Sequence, residues 1–75
     1  MEIKLTKRYK NKDNSLVYEY IINFDDKMYY LIEISTISKQ GKLVKRFDVY
    51  NESFKEITYI NEGKRVKEQF ILETY

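Results

Sequence analysis

Apolar and polar residues alternate along most of this chain, and the longest alternation runs from Leu16 to Ser38. Every second position is apolar or weakly polar, first at Leu16, Tyr18, Tyr20, Ile22 and Phe24, then at Met28, Tyr30, Ile32, Ile34 and Thr36. A period of two is typical of strands that bury one face. The pattern therefore predicts two long strands that fold back on each other around Asp25-Asp26-Lys27.

The register of this hairpin is predicted from the rule that apolar residues lie opposite one another. We expect Ile22 opposite Tyr30 and Tyr20 opposite Ile32. A slip of one residue would put Glu19 opposite Ile32 and mix a charge into the apolar face. The predicted register leaves a three-residue loop between the two strands.

Four further strands are predicted from shorter alternating stretches separated by turn residues such as Asn, Asp, Ser and Gly. They cover residues 1–10, 43–50, 54–60 and 65–74. At the turn around Gln40-Gly41 we expect Ile34 opposite Phe47 and Ile32 opposite Val49. Residues 1–75 thus predict a single small all-β domain. It would be an antiparallel meander of five to six strands, forming a strongly curved sheet or a small barrel.

The alternative architecture is an α+β fold with a C-terminal helix over the sheet. Ser53 and Glu56 have the spacing of a helix capping box, and residues 64–75 can be drawn as a helix. Against it, the apolar residues of that segment do not gather on one helical stripe. The β-branched Ile57 and Thr58 also disfavour a helix.

Composition supports a β fold and makes an enzyme improbable on chemical grounds. The chain has nine Ile and eight Tyr but no Ala, the best helix former. It also has no Cys and no His, which removes disulfides, the commonest metal ligands, the commonest general base and the strongest nucleophile. The only acidic pair, Asp25-Asp26, is expected in a tight turn with no cleft. We therefore expect no catalysis, no metal and no cofactor.

Residue usage also bears on the source and the setting. Lys, Asn, Ile, Tyr, Phe and Met, whose codons are AT-rich, supply 39 of the 75 residues. Such short chains are often accessory proteins of phages or mobile elements, some of which inhibit a host protein such as a defence-system component. No apolar stretch approaches the ~20 residues of a membrane span, and no secretory signal is visible. The expected location is the cytoplasm of a bacterial host cell.

The predicted contact surface for a protein partner is the second face of the central hairpin. It is formed by Val17, Ile21, Tyr29, Leu31 and Ile37, opposite the expected core set. This face is more apolar than an ordinary exposed sheet face, and a contiguous apolar patch marks an interface. The first hypothesis is therefore a non-enzymatic binding protein that uses this sheet face.

Two alternative functions follow from other features. Positive charge collects near the two glycine turns, at Lys42, Lys45, Arg46, Lys64, Arg65 and Lys67. With Tyr side chains nearby, such a stripe could bind nucleic acid through phosphate contacts and stacking. However, twelve acidic residues are interleaved among the fourteen basic ones, which favours solvated strands over a dedicated nucleic-acid surface. The second alternative is a structural homodimer, because 75 residues can hardly cover both faces of such a sheet.

Overall fold

A computed structural model describes all 75 residues and contains four strands and one helix. In chain order they are β1 (Glu2–Lys10), β2 (Leu16–Phe24), β3 (Lys27–Ile37), β4 (Leu43–Asn51) and α1 (Asn61–Thr74). The strands form one antiparallel sheet in the order β1-β2-β3-β4, and α1 packs on one side of it. The antiparallel meander is confirmed, and the predicted alternative with a C-terminal helix is the architecture found.

The predicted fifth and sixth strands and the closed barrel are wrong. Residues 54–60 contribute only an isolated bridge between Glu56 and Tyr50, after which the chain enters α1. The sheet stays open because β1 and β4 are its two edges. The short segment at Glu56 and Ile57 lies along β4, where the Ile57 amide donates to the Val49 carbonyl at 2.8 Å.

α1 forms although its apolar residues do not all lie on one stripe. Gly63, Val66 and Phe70 follow one another at helical spacing and are the buried residues of the helix. Leu72 is 75% exposed, so it takes no part in the buried stripe. Val66 and Phe70, at i and i+4, dock the helix together with the partly buried Ile71. The Lys, Arg, Glu and Gln residues between them are good helix formers.

The register between β2 and β3 differs by one residue from the prediction. Phe24 pairs with Lys27 and Ile22 pairs with Tyr29 across a two-residue turn. Asp25 and Asp26 form this turn with φ of 53° and 60°. Positive φ at both central residues is the geometry whose twist matches a hairpin, and Asp tolerates it. The turn geometry therefore outweighs the pairing of apolar residues, and Glu19 does lie opposite Ile32.

The register between β3 and β4 is also one residue away from the prediction. Ile34 lies opposite Arg46 and Ile32 lies opposite Asp48. The two slips together exchange the faces of β3. Its odd-numbered residues face α1, and its even-numbered residues face away from the helix.

The core lies between α1 and the sheet. It consists of Ile22, Tyr29, Leu31, Val49, Ile57, Val66 and Phe70. Phe70 is fully buried and meets Tyr20 edge to face, with ring centroids 4.9 Å apart. β2 contributes even-numbered residues to this side of the sheet, and β3 contributes odd-numbered residues. The opposite side of the sheet carries no helix, since α1 is the one helix of the chain.

Candidate interaction surface

The side of the sheet that faces away from α1, called the open face below, is apolar at its centre. Its apolar residues are Val17, Ile21, Tyr30, Ile32, Ile34 and Tyr50. Val17 lies opposite Ile34, and Tyr30 lies between Ile21 and Tyr50, whereas Ile32 lies between Glu19 and Asp48. Most of them are half-buried by their neighbours, and Val17 is 2% exposed. An exposed antiparallel face is normally polar, so this composition makes the open face the candidate contact surface.

The sequence-predicted contact residues divide among three places. Val17 and Ile21 lie on the open face, as expected. Tyr29 and Leu31 lie in the core beneath α1, because the register slip turns them inward. Their places on the open face are taken by Tyr30 and Ile32, which the sequence analysis assigned to the core.

The fifth predicted residue, Ile37, lies at the far end of β3. It pairs with Leu43 on the helix side of the sheet, beyond the end of α1. Ile37 is 67% exposed and Leu43 is 60% exposed. These two residues form a small second apolar patch that is separate from the open face.

A groove of about 390 Å³ crosses the open face. Its apolar lining includes Ile21, Ile32, Tyr30, Tyr50 and Phe54. Thr6 and Glu19 line it on the side of β1. A concave apolar site with few polar groups is the usual form of a binding surface.

Phe54 forms one wall of this groove although it belongs to no strand or helix. Its ring stacks on Tyr30, with centroids 4.3 Å apart and an interplanar angle of 16°. The side chain nevertheless remains 69% exposed. Sequence analysis missed this residue because it placed Phe54 at the start of a fifth strand.

The backbone of Phe54 is in the left-handed region, with φ of 61°. Three of the turns share one hydrogen-bond pattern, and Asn14, Gly41 and Phe54 fill the equivalent left-handed position in them. Asn and Gly adopt this conformation readily, whereas a bulky residue is strained there by roughly 1–2 kcal/mol. Stacking on Tyr30 offsets part of that strain, at about 0.5–1.5 kcal/mol. An exposed aromatic ring is thus held at a position that suits glycine.

The tyrosines at the margins of the open face sit beside carboxylates. Burial raises the pKa of the Tyr50 phenol, and the negative charges of Asp48 and Glu56 raise that pKa further. A hydrogen bond to Glu19 raises the pKa of the Tyr9 phenol. Both side chains therefore remain neutral hydrogen-bonding groups at the rim of the apolar centre.

The six basic residues predicted to bind nucleic acid do not form one stripe. Lys45 points to the helix side of β4, where it lies 3.2 Å from Glu33. Arg46, the next residue, lies 3.0 Å from Asp48 on the open face. Arg65 forms an ion pair with Asp25 at the β2–β3 turn.

The other three basic candidates are also dispersed. Lys42 follows the β3–β4 turn, and Lys64 and Lys67 lie on α1. Because the set is spread over two faces and half of it is ion-paired, it offers no continuous track for a phosphate backbone.

A buried charge lies on the helix side of the sheet. The Glu33 side chain is 3% exposed, and its Oε2 accepts hydrogen bonds from the Tyr75 hydroxyl at 2.6 Å and Lys45 Nζ at 3.2 Å. Its Oε1 has no hydrogen-bond partner. This cluster joins β3, β4 and the end of α1, and sequence analysis missed it because the predicted register turned Glu33 outward.

No group of His, Cys, Asp and Glu side chains is arranged to hold a metal ion, and no helix is long and apolar enough to cross a membrane. No protein-family model, no curated protein and no solved structure matches the chain. Any functional assignment therefore depends on the surfaces described above.

Proposed function

We propose that this chain is a non-enzymatic binding domain whose open face contacts another protein chain. The observation that carries the proposal is Phe54, an exposed aromatic residue in a strained backbone conformation beside an apolar groove. Strained residues cluster at functional sites, and aromatic side chains are enriched among the residues that dominate binding energy.

The apolar centre of the open face supports a protein partner over a nucleic acid. Burial of an Ile or Tyr side chain is favourable by about 1.5–3 kcal/mol before the costs of association are subtracted. A nucleic acid would need a continuous row of unpaired cations. Lys4 and Lys7 lie only at the β1 edge of the open face, whereas Arg46 is engaged with Asp48 and Glu19 lines the groove. The chemistry of the open face therefore fits apolar side chains of another protein.

The inhibition of a host protein, expected from the phage-like composition, stays a prediction. It is compatible with a contact surface that acts by covering its partner, because occlusion requires binding and no chemistry. Addition of the purified chain to host extracts, followed by assays of defence nucleases, would measure it directly.

Site-specific photo-crosslinking in cells tests the proposed contact. A benzophenone amino acid would replace Tyr50 on the open face, and a matched control would carry it at Leu72 on the outer side of α1, which is 75% exposed. We expect a covalent adduct with a polypeptide from position 50 and none from position 72. Equal labelling from both positions, or adducts with nucleic acid alone, would overturn the proposal.

A further inference from the structure

We infer that a second copy of this chain covers the open face, so that two sheets pack face to face around a two-fold axis. The inference rests on the proposed function and names the partner. It is drawn from the charges, the shape and the size of the open face, which are each compatible with a copy of the same surface.

Charge is distributed unevenly across the open face. On its β1 side the exposed Lys4 and Lys7 outnumber the one acidic residue that β1 places there, Glu2. The β4 side carries Asp48, and Glu56 continues that side because it bridges to Tyr50. Arg46 is the positive residue on the β4 side and is already paired with Asp48. The β1 edge of the open face therefore carries a net positive charge, and the β4 edge carries a net negative charge.

This asymmetry selects between the two ways of stacking identical sheets. A two-fold axis across the strands would place β1 over β1 of the other copy and would bring the lysines of the two β1 strands together. A two-fold axis parallel to the strands places β1 over β4 of the other copy. Lys7 then faces Asp48, and Lys4 lies beside Tyr50 and Glu56. Charge complementarity favours the second arrangement.

Shape gives the same answer independently. Phe54 rises above Tyr30 on β3, and the groove floor beside it is formed by Ile21 on β2. Tyr30 and Ile21 are direct cross-strand partners. A two-fold axis that runs between β2 and β3 therefore carries Phe54 of one copy to a place above Ile21 of the other. The ridge of each copy enters the groove of its partner, as an isologous interface requires.

The size of the open face is sufficient for such a dimer. The two longest extents of the molecule are 39 and 22 Å. These extents bound the flat outline of the face at roughly 860 Å² per copy, which is of the same order as the ~800 Å² per partner that a standard-size interface buries. Face-to-face sheets with interdigitated apolar side chains are an established packing arrangement. The sheet of the second copy would cover the open face, which the 75 residues of one chain leave without a packing layer.

Sedimentation equilibrium over a range of concentrations tests the inference, with the full chain as the sample. We expect a monomer–dimer equilibrium that Phe54→Gly weakens by roughly thirtyfold or more in Kd, the effect of a central aromatic anchor. Asn14→Gly is the matched control, because Asn14 fills the equivalent position of the β1–β2 turn. It should leave the Kd unchanged, and circular dichroism of both variants confirms that they fold.

A charge exchange tests the orientation of the two copies. Lys4→Glu and Glu56→Lys should each weaken the dimer by about five- to tenfold, and the double variant should restore it to within about twofold. Both residues are exposed, but Glu56 accepts a hydrogen bond from Thr58, so circular dichroism must confirm that the Glu56→Lys variants fold. Independent, additive losses would overturn the strand-parallel axis, and a dimer that Phe54→Gly does not weaken would overturn the use of the open face.

A strict monomer at high concentration would overturn the inference as a whole. The proposed function would survive that result if crosslinking from position 50 still yields an adduct with a different protein. If neither a dimer nor any polypeptide adduct is found, both the inference and the proposed function fail.

Discussion

The hydroxyl of Tyr75 donates a 2.6 Å hydrogen bond to the carboxylate of Glu33, whose side chain is only 3% exposed. Lys45 completes the cluster, since its ammonium group lies 2.8 Å from the same hydroxyl and 4.0 Å from the centroid of the Tyr75 ring. Hydrogen bonds to a buried charge contribute more than neutral ones, because a buried carboxylate that loses a donor keeps its desolvation penalty. This contact therefore fixes the end of α1 on the sheet.

Replacement of Tyr75 by Phe should lower the free energy of unfolding by about 1–3 kcal/mol, the cost of removing a donor from a buried charged acceptor. The substitution keeps the aromatic ring, so packing against Phe47 and Lys45 is retained. Urea unfolding followed by circular dichroism measures the change. Tyr59→Phe is the control, because Tyr59 is 77% exposed and donates no side-chain hydrogen bond. Equal stability of the two variants would contradict the role assigned to the Tyr75 hydroxyl.

Stability should fall at alkaline pH because of two partly buried phenols. Burial is the largest cause that raises the pKa of Tyr20 and of Tyr29 to about 12 in the folded chain. An unfolded tyrosine titrates at ~10, so above that pH the unfolded state loses protons first and is favoured. The stabilisation is complete below about pH 10 and is lost as the pH rises through 12. Chemical denaturation at a series of pH values, with tyrosinate absorbance recorded in parallel, measures it.

Tyr29→Phe tests this pH dependence at alkaline pH, and it also tests a second dependence at acidic pH. The hydrogen bond from Tyr29 is the largest cause that lowers the pKa of Glu62. Because the pKa of Glu62 is lower in the folded chain than the ~4.3 of an unfolded Glu, the ionised carboxylate stabilises the fold above about pH 4.3. This stabilisation is lost as the pH falls through the pKa of the folded state. The variant should therefore flatten the stability profile above pH 10 and also below about pH 4. An unchanged profile at either end would contradict the assigned cause.

Gly63 should not tolerate a side chain. An added Cβ would lie 1.7 Å from the carbonyl oxygen of Ile57, so α1 would have to move away from the chain that precedes it. Gly63→Ala gains about 1 kcal/mol in helix propensity, yet we expect a net loss of more than about 2 kcal/mol in the free energy of unfolding. Urea unfolding of the variant and of the unchanged chain would measure this loss in the free energy of unfolding.

Gly41→Ala is the matched control for this substitution. Nothing lies within 4 Å of its added Cβ, and only the positive φ of 79° opposes the change. That strain should lower the free energy of unfolding by about 1 kcal/mol. A loss at position 63 no larger than the loss at position 41 would show that α1 shifts freely.

The strands of the sheet were predictable because their signals are local. Alternation and turn residues placed all four strands close to their observed bounds, from Glu2–Lys10 to Leu43–Asn51. The registers were not predictable from apolar pairing, because the turns decide them. The sequence does indicate the two-residue turn, because Asp25 and Asp26 are both residues that tolerate positive φ. The prediction placed Lys27 in the turn as well, which moved the β2–β3 pairing by one residue. The β3–β4 pairing is set separately by the turn that Ser38 and Lys42 close.

The helix was predicted as a strand because all the apolar residues of the segment 64–75 were expected to lie on one stripe if that segment were helical. Val66 and Phe70 are buried in the core and Ile71 packs against it, whereas Leu72 remains outside the interface. The complementary surface that receives these two side chains is built by distant residues such as Ile22 and Leu31. No local pattern reports such a surface, so tertiary packing decided the outcome.

The sequence predicted an uncovered apolar sheet face, but only two of the five residues assigned to it lie on the open face. The idea that one sheet face stays apolar and uncovered came from the surplus of Ile and Tyr in the central hairpin, and Val17 and Ile21 were placed there. The slip in register exchanged Tyr29 and Leu31 for Tyr30 and Ile32. Phe54 could be found only through its backbone geometry, which has no signature in the sequence because a glycine would be expected at that position.

The order of the strands has a consequence for how the chain folds during synthesis. Each strand pairs with its neighbour in sequence, so the sheet can assemble through short loops, and these contacts form quickly. α1 is made after the whole sheet, so the helix side, including the carboxylate of Glu33, is bare until the helix docks. The newly made sheet therefore presents two apolar sides for a short time, the condition under which nascent β proteins aggregate. Pulsed hydrogen exchange should show protection of the strand amides before those of α1.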